Sequence, residues 1–211
     1  MVGALEPEMT LLPRLVPQDK LAVDIGGNRG TYAYALSKLS REVVSFEPVP
    51  ACTRLLTAWS RRTPNVVIHE CGLGDREDTL VLHIPRLNGS LTTTRASFAR
   101  VDGDGDDLSV PIRTLDQFAL QDVGFVKIDV EGFEFATLQG ARATLERWHP
   151  NLLVEIDAQA QSAEDFSRTF DFLHGLGYDA HYLEDGALHP CDAGVQLKVP
   201  PVTNYVFLPR S

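Results

Sequence analysis

Apolar positions along the chain fall into short runs that alternate with stretches of helical spacing. "KLAVDIGG" is a compact apolar run that stops at glycines, which predicts a buried strand and a tight turn. "TYAYALSKL" follows with helical spacing. "EVVSFEP" predicts a second strand, closed by Pro48, then "ACTRLLTAWSRR" a second helix and "NVVIHECGLGD" a third strand with a glycine-bearing end. A strand–helix–strand–helix–strand order predicts a parallel sheet with helical crossovers.

The rhythm breaks over residues 79–113. "TLVLHIP", a polar loop with the acidic run "DGDGDD", and "LSVPIRTL" predict an inserted hairpin or lid. The α/β order resumes with the strand "GFVKIDV", a helix over "FEFATLQGARATLERW" and the strand "NLLVEID". A last helix reads "SAEDFSRTFDFLHGLG". Ser162 is its N-cap candidate, with Asp165 three residues on. "YDAHYLE" and "NYVFLP" close the chain as an antiparallel pair, giving the main sheet seven strands besides the inserted hairpin.

The length, 211 residues, suits one domain over 1–211, with 1–20 as a short N-terminal extension and 79–113 as an insertion. The net charge of −10 supplies no general footprint for nucleic acid and would be repelled by an anionic membrane, so neither partner is expected. A local basic patch remains in Arg86, Arg95, Arg100 and Arg113. Cys52, Cys71 and Cys191 are odd in number and form no CxxC pair, which reads as reduced thiols in a cytoplasmic protein without zinc. The first 20 residues lack the basic start and apolar core of a signal peptide, and no apolar run is long enough to span a bilayer. Nothing in the pattern sets an oligomeric state.

"VDIGGNRGTY" carries the first chemical signal. Gly26, Gly27 and Gly30 let the chain turn sharply off the strand and let a ligand approach the backbone. Asp24 ends the first strand. Glu47 ends the second, about 20 residues on, where ribose-binding carboxylates stand in dinucleotide folds. The glycine order lacks the last glycine of the dinucleotide fingerprint. The sulfonium and amine of S-adenosylmethionine favour an acidic neighbourhood such as Asp24 provides, so this cofactor is expected ahead of NAD. Tyr34 and Lys38 share the Y-x-x-x-K spacing of some hydride-transfer enzymes, but their place on the helix after the turn suits packing and solvation. In "CGLGD", Gly74 permits close approach, and Asp75 either accepts a hydrogen bond from an adenine amino group or caps the next element.

Taken in order, "VDIGGNRGTY", "SFEP", "CGLGD", "VKIDVEGFE" and "LLVEID" resemble the FkbM family of S-adenosylmethionine-dependent methyltransferases, from about Leu21 to about Asp157. The resemblance implies an α/β, Rossmann-like class I methyltransferase fold with strand order 3-2-1-4-5-7-6. The candidate cofactor residues are Asp24, Gly26, Gly27, Asn28, Gly30, Thr31, Glu47, Pro48, Gly74, Asp75 and Asp129. The family often has alanine where Gly27 stands. With little chain before the first strand, any N-terminal element covering substrate must be small.

Strand alternation sets Lys127, Asp129 and Glu131 on one side of the fourth strand, and Glu155 and Asp157 on one side of the fifth. If these strands are neighbours, four carboxylates gather at one rim. One of Asp129, Glu131 and Glu155 could be the general base for an acceptor hydroxyl. Asp129, Glu155 and Asp157 could hold Mg²⁺. Otherwise the acids anchor the methionine amine and cap a helix. The expected reaction is O-methylation of a sugar, glycan or natural-product scaffold, a small-molecule or glycan acceptor that only the family resemblance suggests. N-methyl transfer and a non-catalytic scaffold are the alternatives.

Two further signals carry little. "DGDGDD" starts like a calcium loop, but the twelfth position from Asp102 is Arg113, where that loop needs Glu. His69, His83, His149, His181 and His189 are scattered without ligand spacing.

Overall fold

The protein is described by a computed structural model that covers residues 6–87, 90–93, 96–98, 104–157, 163–197 and 202–210. Arg95, Arg100, Asp102 and the N-cap candidate Ser162 lie outside the described residues.

After a 3-10 turn at Pro7–Leu11, the chain runs through α1 (Leu12–Leu15), β1 (Leu21–Ile25), α2 (Thr31–Leu36), β2 (Glu42–Phe46), α3 (Pro50–Ser60) and β3 (Val66–His69). It then forms β4 (Gly72–Leu73), β5 (Asp78–Leu87), β6 (Ser90–Leu91) and β7 (Gly105–Arg113). The rest is β8 (Val123–Ile128), α4 (Glu134–Gln139), α5 (Arg142–Trp148), β9 (Asn151–Glu155), α6 (Ala163–Gly175), β10 (Tyr178–Glu184), β11 (Ala187–Cys191) and β12 (Asn204–Pro209).

The main sheet has the order β11-β10-β12-β9-β8-β1-β2-β3. Without β11, this is the 3-2-1-4-5-7-6 order expected from the sequence. Strand β1 lies between β2 and β8, parallel to both, and all five of its residues are buried. Burial on both faces is why its sequence reads as a continuous apolar run and not as an alternating one. Strand β12 inserts antiparallel between β9 and β10.

An eighth strand, β11, extends the edge by pairing antiparallel with β10. Asp185 (φ 50°) and Gly186 (φ 78°) turn the hairpin, and two successive positive φ angles are what an Asp-Gly turn supplies. The strand itself is largely exposed and contains Pro190, so it has the weak pattern of an edge.

Two other expectations change. The helix expected over 133–148 is two, α4 and α5, parted at Gly140. A Cβ there would lie 1.9 Å from the Gly74 carbonyl oxygen. Asp116 caps the restart by accepting from the backbone N–H groups of Ala143 and Thr144 at 2.9 and 2.8 Å. The third strand stops at His69, and the chain swings away so that β4 pairs with β7 in a second sheet, β4-β7-β5-β6. Leu82, Ile84, Val110 and Ile112 of this hairpin cluster with Val49 and Cys52, which packs the insertion onto the start of α3.

The segment before β1 is anchored as well. Leu11, Leu12, Leu15 and Val16 are buried against Ala22, Leu36, Phe125, Leu153 and Val206 on one face of the sheet. Each such leucine contributes about 1.5–3 kcal/mol by leaving water. Among the described residues no helix is long and apolar enough to cross a membrane.

Main chain approaches main chain closely at the ends of β1 and β8. Gly26 has φ +84°, and a Cβ on it would stand 1.8 Å from the carbonyl oxygen of Asp129. Gly177 has a similar φ, +88°, with nothing within 4 Å. Gly177→Ala is expected to cost only the left-handed penalty of about 1–2 kcal/mol. Gly26→Ala adds a backbone clash and is expected to cost at least about 3 kcal/mol. Urea unfolding of the two variants measures the difference, and equal losses would refute this account of the β1–β8 contact.

Candidate active site

The carboxyl ends of β1, β2, β8 and β9 open into one cavity of about 350 Å³, within the usual range of ligand sites. Its floor is the turn after β1. The N–H groups of Gly26 and Gly27 donate to the Phe46 carbonyl at 2.9 and 3.1 Å, continuing the β1–β2 ladder past the strand ends. The glycines are needed by the chain itself. Gly26 lies against Asp129, Gly27 against the Ser45 hydroxyl, and Gly30 (φ +90°) against Leu56.

Glu47 is held from two sides. Its Oε2 accepts from the Asn28 N–H and its Oε1 from the Val49 N–H, each at 2.7 Å. These bonds orient the carboxylate and leave lone pairs for hydroxyl donors. Burial pushes Glu47 up to about 7, against the pull of the two backbone bonds. Asp24 is 1 % exposed and accepts from the Ser45 hydroxyl at 3.0 Å. Burial pushes it up to about 6, with Ser45 and Lys127 acting in the opposite direction.

The far end is built around Lys127, 1 % exposed. In the parallel register of β8 and β9, Ile128 pairs with Val154, so Asp129 and Glu155 emerge side by side. The Lys127 ammonium lies 4.0 Å from Asp129 Oδ2 and 3.8 Å from Glu155 Oε2. Burial pushes Glu155 up to about 8, reinforced by the charge of Asp129. Burial also raises Asp129, and Lys127 opposes it. The charge of Asp129 makes ionisation of Glu155 harder, because two neighbouring acids cannot both ionise cheaply.

Asp24, Gly26, Gly27, Asn28, Thr31, Glu47 and Pro48 all line the cavity, and so do Asp129, Glu131 and Glu155. Gly30, Gly74, Asp75 and Asp157 do not. Asp75 pairs with Arg76 at 2.8 Å, and Gly74 is buried among Phe133, Ile112 and Gly140. Because β3 ends early, Cys71, Gly72 and Leu73 take the wall expected from Gly74 and Asp75. Alternation along β8 also ends at Ile128. Glu131 (φ 46°) and Gly132 (φ 89°) turn the chain, so Val130 and Glu131 both reach the cavity.

The Mg²⁺ set is not assembled. Asp157 does not line the cavity that holds Asp129 and Glu155, and the Lys127 ammonium lies 4.0 and 3.8 Å from those two acids. Among the described residues no group of three or more His, Cys, Asp or Glu side chains is placed to hold a metal ion. Lys38 lies 5.3 Å over the ring of the exposed Tyr34, and neither lines the cavity.

Several lining residues went unassigned in the sequence. Glu6 enters from the segment before β1 and accepts from the Tyr32 hydroxyl at 2.5 Å. Leu82, Thr93, Ala96 and Phe98 enter from the insertion. Thr93 bonds the Asn28 side chain at 3.2 Å, and Ser97 bonds the Glu131 carbonyl at 3.0 Å, which ties the insertion to both ends of the site. Only Tyr32 had a signal, its place in "GTY"; the others are brought in by tertiary packing.

The methyltransferase FkbM domain matches residues 24–180, a span that contains the glycine turn, Glu47, Lys127 to Glu131 and Glu155. "Methyltransferase 1" of Beauveria bassiana (strain ARSEF 2860) is 26% identical over 187 residues, covering 77% of this chain and 73% of that protein. The methyltransferase FkbM structure from Methylobacillus flagellatus KT matches with a TM-score of 0.56 at 18% identity over 91% of this chain, which spans 44% of that protein's length. A Streptococcus mutans protein described as a methyltransferase, solved in complex with SAH, matches with a TM-score of 0.57 at 12% identity over 99% of both chains. The solved structures show a shared fold, and the domain match shows more: the chain belongs to the methyltransferase FkbM family.

Proposed function

We propose that the protein is an S-adenosylmethionine-dependent O-methyltransferase whose acceptor is a hydroxyl of a sugar, glycan or natural-product scaffold. The observation that carries this reading is a single cavity with an oriented carboxylate, Glu47, at one end and the Asp129–Glu155 pair at the other. The residues fit the cofactor. Glu47 is aimed to accept both hydroxyls of a ribose diol. Val49, Leu73, Leu82 and Phe98 offer apolar surface to a purine. Asp24 and Asp129 suit an ammonium and a sulfonium.

When bound, S-adenosylmethionine supplies the methyl group: the acceptor oxygen bonds to the methyl carbon as its bond to sulfur breaks, and sulfur keeps the electron pair. The protein's part is chiefly alignment, which removes roughly 7–11 kcal/mol of a barrier in favourable cases. The insertion residues Ala96 and Phe98 limit water at the cofactor end. A carboxylate of the Asp129–Glu155 pair receives the acceptor's proton, a role worth roughly 10²–10⁴ in rate.

The first test is calorimetric titration of S-adenosylhomocysteine into the protein. Saturable binding is expected, and its absence would leave a methyltransferase-like scaffold. With a hydroxylated acceptor in hand, Glu155→Gln is expected to lower kcat by about 10²–10⁴ and to leave S-adenosylhomocysteine affinity close to wild type. Loss of affinity with unchanged kcat would place Glu155 with the cofactor.

Glu47 adds a pH signature. Its proton is held more tightly in the folded than in the unfolded chain, so its contribution to stability is complete below the ordinary value of 4.5 and is lost as pH rises through about 7. A ribose diol donates to the ionised form. Affinity for S-adenosylhomocysteine is therefore expected to rise with pH through about 7, with proton release on binding. Glu47→Gln is expected to flatten that slope and to weaken binding by about 1.5–3 kcal/mol, roughly 10- to 100-fold. Titrations in buffers of different ionisation enthalpy measure the released proton; an unchanged slope in the variant would take the ribose from Glu47.

A further inference from the structure

Lys127 is among the largest fully buried side chains, and oxygens from several elements surround its charge. The nearest are the Ile128 carbonyl of β8 at 3.4 Å and Asn204 Oδ1 of β12 at 3.5 Å. Glu155 of β9 and Asp129 follow at 3.8 and 4.0 Å. The Tyr32 ring of α2 lies 5.0 Å from the ammonium. Asp24 of β1 and Glu8 of the first 3-10 turn also feel this charge. Glu6 and Glu131 act on the carboxylate pair from the cavity walls.

An aliphatic residue would fill the same volume without burying a charge, and burying a lone charge is costly. The cation is instead fixed by groups that do not titrate, the Ile128 carbonyl and the Asn204 amide, and its free side faces two acids at the rim. We infer that Lys127 is the positioning cation of the acceptor end: it gathers Asp129 and Glu155 around one charge and keeps one of them as the carboxylate that receives the acceptor's hydroxyl proton. The proton passes from the acceptor oxygen to that carboxylate as the oxygen–methyl bond forms and the sulfur–methyl bond breaks. This rests on the reading of the cavity as a methyl-transfer site.

The pair's ionisation can be read without an acceptor. Side-chain carboxyl ¹³C signals of Asp129 and Glu155 are followed from about pH 5 to about pH 10 in the wild type, Lys127→Met and Lys127→Arg. The wild-type pair is expected to show its upper step near pH 8. Removing the charge in Lys127→Met is expected to raise that step by about one pH unit or more, and Lys127→Arg to return it toward the wild-type value. Lys127→Gln, which keeps a hydrogen-bonding end and removes only the charge, replaces the Met variant if that one does not fold. A purely structural role would lower thermal stability without moving the carboxyl midpoints, so coincident titrations in the wild type and a folded neutral variant would overturn the inference. S-adenosylhomocysteine binding to the same wild-type sample separates the two readings: failure to bind sinks the proposed activity and leaves the titration result standing.

Discussion

Main chain meets main chain where β1 and β8 end, with no side chain on Gly26 to keep the Asp129 carbonyl away. The Asp129 N–H donates to the Ile25 carbonyl at 3.0 Å, so the ladder continues one residue beyond the strand. That contact sets the register in which Asp24 lies opposite Lys127. It also brings the turn carrying Asn28 within reach of Glu47 on one side and leaves Asp129 beside Glu155 on the other. A larger residue at position 26 would force the strand ends apart, and the charged groups of the site would separate with them.

Gathering these groups is expensive. Glu6, Asp24, Glu47, Asp129, Glu131 and Glu155 line one cavity, and among the described residues the cations in its lining are Arg29 and Lys127. Burial is the leading cause of the raised values of Asp24, Glu47, Asp129 and Glu155. The backbone N–H groups on Glu47, the Ser45 hydroxyl on Asp24 and the Lys127 ammonium offset part of that cost. What is left uncompensated favours a ligand bearing positive charge, which is the character of a sulfonium and an ammonium. The same excess of acid acts against acceptors that carry a phosphate or carboxylate at the far end of the cavity.

The parts legible in the sequence are those governed by local pattern. Apolar runs of four to six residues marked the central strands, and the spacing of Glu47 from Asp24 marked two carboxylates of the cavity. Asp129 and Glu155 followed once β8 and β9 were taken as neighbours. What escaped was set by tertiary contact. Only His69 and the exposed Glu70 separate the apolar strand from "CGLGD", too short a break to show that β3 ends there and that Gly72 joins another sheet. The glycines invited a ligand explanation, whereas their crowding comes from Asp129, Ser45 and Leu56. Gly140 splits a helix because Gly74 packs against it. The Asp185–Gly186 turn did have a local signal, but the strand after it is too exposed and too short of apolar residues to stand out.

The two walls of the cavity come from chain segments of very different kind. The insertion carries a wall through paired strands and is tied to the glycine turn through Thr93 and Asn28. The segment before β1 is a 3-10 turn and one short helix; Leu11, Leu12, Leu15 and Val16 fasten it to the sheet, and Asn151 donates to the Leu15 carbonyl at 2.8 Å. That anchorage lets a single acidic residue, Glu6, be placed in the cavity wall with Tyr32 as its hydrogen-bond donor. The groups on the strand ends are fixed by the sheet. Glu6, Leu82, Thr93, Ala96 and Phe98 are placed instead by how a short peripheral segment and a hairpin are fastened. The Asp129–Lys127–Glu155 group stands at the ends of β8 and β9, so its geometry follows from the register of the sheet and not from either peripheral segment.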